Sequence, residues 1–464
     1  MITGHDLIKL GYKPANWFKD AIVYCNDNNL EGEVLSEYLK SVAPKPVVTI
    51  EPLDKPVFYH KNIRAENELE QSNLDSVFSK MDEMMTTPVV VNGAVYPDTC
   101  PTGEMPVGSV IVSKAIHPSY HSADVCCSVM LTNLGNVDPK LVLDAGAKIT
   151  HFGAGGRSKS DLIKFDLPIE LEEKIKNNPF LNSEKSLELA KTHLGTQGAS
   201  NHFYFVGKLK STGNTVILTH SGSRAFGALL YKNGMIAAEK FRSQLSPNTN
   251  KSSAWIPYDT TEGKNYWEAL QIVREWTKLN HTLIHQKTCD KVGVEHIERY
   301  WNEHNFVFKD ENDLFYHAKG ATPLSSAMVP DEHPDGLRII PLNMKAGCLI
   351  VKGSTTNNNL GFAPHGAGRN MSRTQHKKEK EGKTVRQIFD EETDGLDIRF
   401  YSNSIDISEL PSAYKNAESV KSQIQEFGLG EVIDEVIAYG CIMAGHSENN
   451  WRKRKNKNKV ANIL

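Results

Sequence analysis

The chain of 464 residues has no apolar run that approaches the length of a membrane span. Its opening segment, Met1 to Lys13, holds no apolar stretch of the kind a signal peptide needs, so the expected location is cytoplasmic. Cysteine is sparse and unpaired in pattern. The seven cysteines (25, 100, 126, 127, 289, 348 and 441) are odd in number and scattered, and Cys126 and Cys127 are adjacent. That excludes a simple disulfide framework, and no Cys-x-x-Cys pair has a partner suited to a zinc finger. An excess of either charge is also missing: 53 Lys and Arg against 56 Asp and Glu give a net charge of −3. A polyanion would have to be gripped by a local basic patch. No internal repeat and no coiled-coil heptad is present, and a monomer is expected. The composition, 39% hydrophobic and 23% charged, is that of a globular protein with a large core.

Local pattern predicts mixed elements. Short helices are expected at Asp6 to Leu10, Trp17 to Cys25 and Glu31 to Val42, followed by breaks at Pro44, Pro46, Pro52 and Pro56. Strand-like runs follow at Val89 to Val91, Gly108 to Val112, Val129 to Leu131, Tyr204 to Val206 and Thr215 to Thr219. Trp267, Leu270, Val273, Trp276, Leu279 and Leu283 recur at helical spacing and predict a buried helix, its tryptophans in the core. A following helix is expected to carry His296 and Trp301, with more helix at Glu418 to Phe427 and Glu431 to Tyr439. Strands are expected again at Leu314 to Tyr316, Leu337 to Pro341 and Cys348 to Val351. The class is α+β. Three regions are expected: a helical extension over 1–48, a catalytic domain over 49–445 and a basic tail over 446–464. The tail carries six cations between Arg452 and Lys459, suited to phosphate contacts or to a solvated end.

Chemistry-bearing residues gather in short polar segments. Ala363-Pro364-His365-Gly366-Ala367-Gly368-Arg369 sets one imidazole among small residues, with Arg369 and Arg373 spaced for anionic oxygens. Here a histidine can serve as nucleophile, general base, metal ligand or structural donor. Asp124, Cys127, His202, His220 and His304 add carboxylate, thiol and imidazole, a set that suits Mn²⁺, Fe²⁺ or Zn²⁺ better than Mg²⁺ or Ca²⁺.

Taken together and in order, from about Tyr96 to Tyr414, these segments resemble the RtcB family of RNA-splicing ligases. The family's Asp-x-Gly-Cys is similar to Asp124-Val125-Cys126-Cys127, and its Leu-Gly-Thr-x-Gly-x-Gly-Asn-His-Phe to Leu194 through Phe203. His-Ser-Gly-Ser-Arg stands at 220–224, His-Asn-Phe at 304–306, Lys-Gly-Ala at 319–321 and His-Gly-Ala-Gly-Arg at 365–369. The resemblance implies mixed sheets around a central metal- and nucleotide-binding cleft, helices outside. It also implies an enzyme that joins RNA ends bearing a 2′,3′-cyclic phosphate or 3′-phosphate to a 5′-hydroxyl, in RNA repair or tRNA splicing. GTP and two Mn²⁺ ions would be its cofactors, RNA its partner, and an activating protein is allowed for. By the same resemblance, one ion falls to Cys127, His220 and His304 and the other to Asp124, Cys127 and His202. His365 becomes the nucleophile that takes GMP. Asn201, Phe203, Arg224, Lys319, Gly366, Ala367, Gly368, Arg369, Arg373 and Tyr414 surround the nucleotide.

The sequence departs from that pattern at several positions. Cys126, Ser128 and Ser200 stand where the family has glycine, and Pro97-Asp98-Thr99-Cys100 replaces Pro-Asp-Val-His. Phe205 replaces the glutamate that reads guanine, and Ala444 falls where a lysine is expected. Rival readings are a non-catalytic binder of RNA ends, and a metal-dependent phosphodiesterase or ligase with relaxed nucleotide choice.

Overall fold

The computed structural model describes residues 1–43, 49–158, 163–326, 328–329 and 336–446. Pro44, Pro46 and the cations from Arg452 to Lys459 lie outside the described residues. The chain divides into two compact units, Met1–Ile50 and the remainder from Glu51. In the first, helices Gly4–Lys9, Trp17–Asp27 and Gly32–Val42 bury Leu7, Phe18, Ala21, Cys25 and Leu39 against one another. No helix among the described residues is long and apolar enough to cross a membrane.

The second unit is α+β. Its strands are β1 His60–Lys61, β2 Val90–Cys100, β3 Val107–Ser113, β4 Ser128–Asn133, β5 Phe203–Leu209, β6 Thr215–Ser221, β7 Glu298–Glu303 and β8 Asn305–Lys309. After these come β9 Phe315–Lys319, β10 Ala321–Pro323, β11 Leu337–Asn343, β12 Gly347–Lys352, β13 Phe362–Pro364, β14 Asp397–Phe400 and β15 Glu431–Met443. One sheet runs β1-β2-β3-β9-β8, and β10 pairs with β13. The larger runs β11-β12-β15-β5-β6-β4-β7, with β14 beside β15. Its two edges meet: the Asn302 amide on β7 donates to the Ile339 carbonyl at 3.2 Å and accepts from Ile339 N at 2.9 Å on β11. One side chain thus does the work of a backbone pair and rolls the sheet nearly closed.

Strands β4 and β6 are buried at every position, so the polar Thr219 and His220 of β6 must find partners inside. The inner face holds an apolar cluster that includes Val129, Phe205, Leu218, Ile350 and Val436. Helices Pro139–Ile149 and Thr261–Val292 lie on the outer face. The long helix is capped by Thr260, whose hydroxyl accepts from Gly263 N at 3.0 Å, and ends at Gly293 in the left-handed region. Trp276 is fully buried, whereas Trp267 is only half-buried.

Two expected helices are strands. His296 precedes β7 and Trp301 lies on it; Tyr300 faces the inner cluster while Trp301 faces the outer one, the alternation of a strand. Glu431 to Tyr439 belongs to β15, a strand of 13 residues held between β12 and β5. Val432, Val436 and Ile433, Ile437 repeat every four residues, which fits both periods, and pairing on both sides decides for the strand.

Candidate metal and nucleotide site

The strand order explains why side chains distant in sequence converge. Neighbours β5, β6, β4 and β7 are antiparallel, so the start of β5, the end of β6, the start of β4 and the end of β7 share one rim. His202 precedes β5, His220 is near the end of β6, Cys127 precedes β4 and His304 follows β7. Cys127 Sγ lies 3.1 Å from His220 Nε2 and 3.5 Å from His202 Nε2. His202 Nε2 is 3.1 Å from Asp124 Oδ2, and His220 Nε2 is 3.2 Å from His304 Nε2.

This donor set fits a soft-tolerant divalent cation. His220 Nδ1–H donates to the Asn201 carbonyl at 3.1 Å, which turns the Nε2 lone pair toward Cys127 and His304. Burial, reinforced by neighbouring imidazoles, drives His220 and His304 well below the ordinary histidine range and keeps both in the neutral, ligating form. Burial pushes the Asp124 carboxyl up, yet His202 beside it outweighs that and holds it at about 2. Burial and the Asp124 charge push the Cys127 thiol up, so a thiolate there requires a cation. Gly222 makes room for Asp124, since a Cβ on it would lie 2.1 Å from Oδ1.

Above the cluster, β13 delivers His365, whose ring centroid is 4.7 Å from that of His304. The buried Asp98, at the end of β2, accepts from His365 N at 2.9 Å and from His365 Nδ1. Gly320 lies beside that ring with φ +68°, and a Cβ there would meet His365 Cε1 at 2.8 Å. Behind it Glu409, 2% exposed, gathers three groups: Arg369 at 3.4 Å, Arg373 at 2.8 Å and the Tyr414 hydroxyl at 2.7 Å. The Arg369 guanidinium lies 5.2 Å from the Tyr414 ring centroid.

Asp124, Cys127, His220, His304, His365, Arg369, Arg373, Glu409 and Tyr414 all border one cavity of about 340 Å³. Every residue anticipated for metal or nucleotide lines it except His202 and Arg224. His202 still touches Cys127 and Asp124, whereas Arg224 stands behind the wall, donating to the Gly153 carbonyl and, at 3.2 Å, to the Thr196 hydroxyl. Lys319 donates to the Met105 carbonyl at 2.6 Å, and burial lowers its pKa.

Residues 140–444 match the sequence model of the family described as tRNA-splicing ligase RtcB. This chain belongs to the RtcB family. It is 28% identical over 279 residues to the tRNA-splicing ligase RtcB of Aeropyrum pernix, covering 52% of this chain and 57% of that protein. With the tRNA-splicing ligase RtcB of Methanopyrus kandleri it shares 25% over 310 residues, 56% of this chain and 31% of the relative. With the RNA-splicing ligase RtcB of Escherichia coli it shares 26% over 385 residues, 75% of this chain and 89% of that protein. The matched stretch thus spans about half or less of these archaeal relatives.

Within this divergent RtcB chain two of the departures have local explanations. Cys126 and Ser200, both at family glycines, keep left-handed backbone with φ of 58° and 66°. Cys126 is part of the outer apolar core. The Ser200 hydroxyl accepts from Arg373. Sequence reasoning did not single out Asp98 or Glu409 as site residues. The Pro97-Asp98 run was a usable signal for the first; Glu409, in Ile-Ser-Glu-Leu-Pro, offered none.

Proposed function

We propose that this RtcB protein is an RNA ligase that joins 2′,3′-cyclic phosphate or 3′-phosphate ends to 5′-hydroxyl ends through a histidine–GMP intermediate, using GTP and Mn²⁺. The observation that carries the reading is His365, its Nδ1 held by Asp98 and its ring against the ligand-rich cluster, with Arg369 and Arg373 on the same cavity. Cys127, His220 and His304 would hold one ion, and Asp124, Cys127 and His202 the second. Such a pair, when bound, neutralises phosphate oxygens that gain charge in an in-line displacement.

The chain's own groups do the rest. With Nδ1–H donated to Asp98, the His365 lone pair is on Nε2 and attacks the α-phosphorus without first losing a proton. Asp98 stabilises the positive charge that develops on the ring as pyrophosphate leaves. Arg369 and Arg373 neutralise the remaining phosphate oxygens, and Glu409 fixes both guanidinium groups in place. A 2′,3′-cyclic phosphate must first be opened by water at its 2′-O–P bond. An oxygen of the resulting RNA 3′-phosphate then takes GMP from the imidazole, and the 5′-hydroxyl displaces GMP to close the phosphodiester.

The test is joining itself: two RNA strands, one ending in a 3′-phosphate and one beginning with a 5′-hydroxyl, incubated with the protein, GTP and Mn²⁺. A longer product that vanishes in His365→Ala supports the ligase. RNA retained without joining supports an end-binding protein, and shortened strands support a phosphodiesterase.

A further inference from the structure

The cavity continues beyond His220 into the rolled sheet. Register aligns Met443, Phe203 and His220 across β15, β5 and β6, and places Cys441, Phe205 and Leu218 in the next row on the same face. That second row lies two residues deeper, about 7 Å along the strands. Cys348 and Met344 complete the inner end. Phe205, Leu218, Met344, Cys348, Cys441 and Met443 all belong to the buried apolar cluster inside the roll, each 6% exposed or less.

None of these six side chains is charged or carries an amide. Burial pushes the Cys348 and Cys441 thiols up and keeps both neutral. Asn343 also borders the cavity, but its carbonyl oxygen accepts from Lys345 N at 3.0 Å and Ala346 N at 2.8 Å. Its remaining NH₂ is a donor, which both purines accept. Glu409, the buried carboxylate on the cavity wall, is engaged by Arg369, Arg373 and Tyr414.

Guanine differs from adenine by donor hydrogens on its N1 and exocyclic N2 and by an acceptor O6 in place of an amino group. To choose guanine by its N1 and N2 hydrogens, a pocket needs an acceptor aimed at those donors. The inner end of this cavity offers an aromatic face, thioethers and methyls, which hold any flat purine by dispersion and desolvation. Resting on the ligase reading above, we propose that this inner end is a base subsite without guanine readout, and that the protein uses ATP as well as GTP. In the ATP reaction His365 Nε2 forms a bond to the α-phosphorus, the bridging α–β P–O bond breaks, and pyrophosphate carries away the electron pair. AMP then passes to the RNA 3′-phosphate and is released when the 5′-hydroxyl attacks.

The experiment uses the full chain with Mn²⁺ and either α-³²P-labelled ATP or α-³²P-labelled GTP, comparing initial labelling rates at subsaturating nucleotide. The expected result is labelling by both, lost in His365→Ala, with a GTP preference below about fivefold, since a good bidentate readout would give roughly 5- to 150-fold. A GTP preference above about fivefold overturns the inference and leaves the ligase reading intact. Labelling by neither nucleotide removes the ligase reading and this inference with it. Phe205→Glu, which restores an acceptor, is expected to raise the GTP-to-ATP ratio at least about fivefold, and Phe205→Leu to leave it unchanged. Should Phe205→Glu fail to fold, the wild-type ratio still decides.

Discussion

His365 is defined by its neighbours more than by its own motif. Asp98 is fully buried, one oxygen is spent on the His365 backbone and ring, and Oδ1 has no hydrogen-bond partner among the described residues. A buried carboxylate left partly unsatisfied is costly to fold around, which fits a role in setting the imidazole tautomer. Asp98→Asn keeps the shape and removes the charge. It is expected to slow nucleotide-adduct formation by about ten-thousandfold, the scale seen when a carboxylate that orients a catalytic imidazole is neutralised. Nucleotide protection against thermal unfolding should persist, and rapid-quench labelling with a thermal-shift control measures both. The sequence made His365 visible through its glycine-rich surroundings. Asp98 was named only as part of an altered run, because nothing local links it to a residue 267 positions away.

The helix Thr261–Val292 supports the site from below. His281 Nδ1 and His285 Nε2 share the Thr219 hydroxyl at 2.6 and 2.7 Å, His285 Nδ1 meets Thr132 at 2.7 Å, and His281 Nε2 meets Ser128 at 3.1 Å. Thr219 and Ser128 each adjoin a proposed ligand, His220 or Cys127. Thr219→Val removes the shared partner from two buried imidazoles and should cost about 1–3 kcal/mol, read as a lower urea midpoint. Burial lowers His117 and His281 to about 3 and His121 to about 4, from 6.5 in the free side chain. These imidazoles take up protons below pH 6.5 only when the chain unfolds. Stability is therefore full above pH 6.5 and falls as pH drops toward 4, by about 1.4 kcal/mol per histidine per pH unit. Urea unfolding in chelator across that range checks the slope. The helix was legible from its apolar spacing, while β7 and β15 were not. Their identity as strands is set by partners on either side, and a window along the chain does not see those partners.

At the scale of the molecule, one consequence of topology matters most. Four antiparallel strands end at one rim, so donors at 127, 202, 220 and 304 meet without any sequence proximity. Ordered motifs named the donors, but their meeting depends on the pairing of β5, β6, β4 and β7. Because the donors are spread over the sheet, a cation bound there ties its strands together. Mn²⁺ at a hundredfold excess over its dissociation constant should stabilise the fold by about 2.7 kcal/mol. The rise in melting temperature should be largely lost in Cys127→Ala, whose thiol touches both His202 and His220.

The most direct measurement is peptide mapping by mass spectrometry after incubation with GTP and Mn²⁺. One nucleotidyl group on His365, stable in alkali and released in acid, is the predicted result. A nucleotidyl group on any other residue, or none at all while the metal-bound protein is folded, would contradict it.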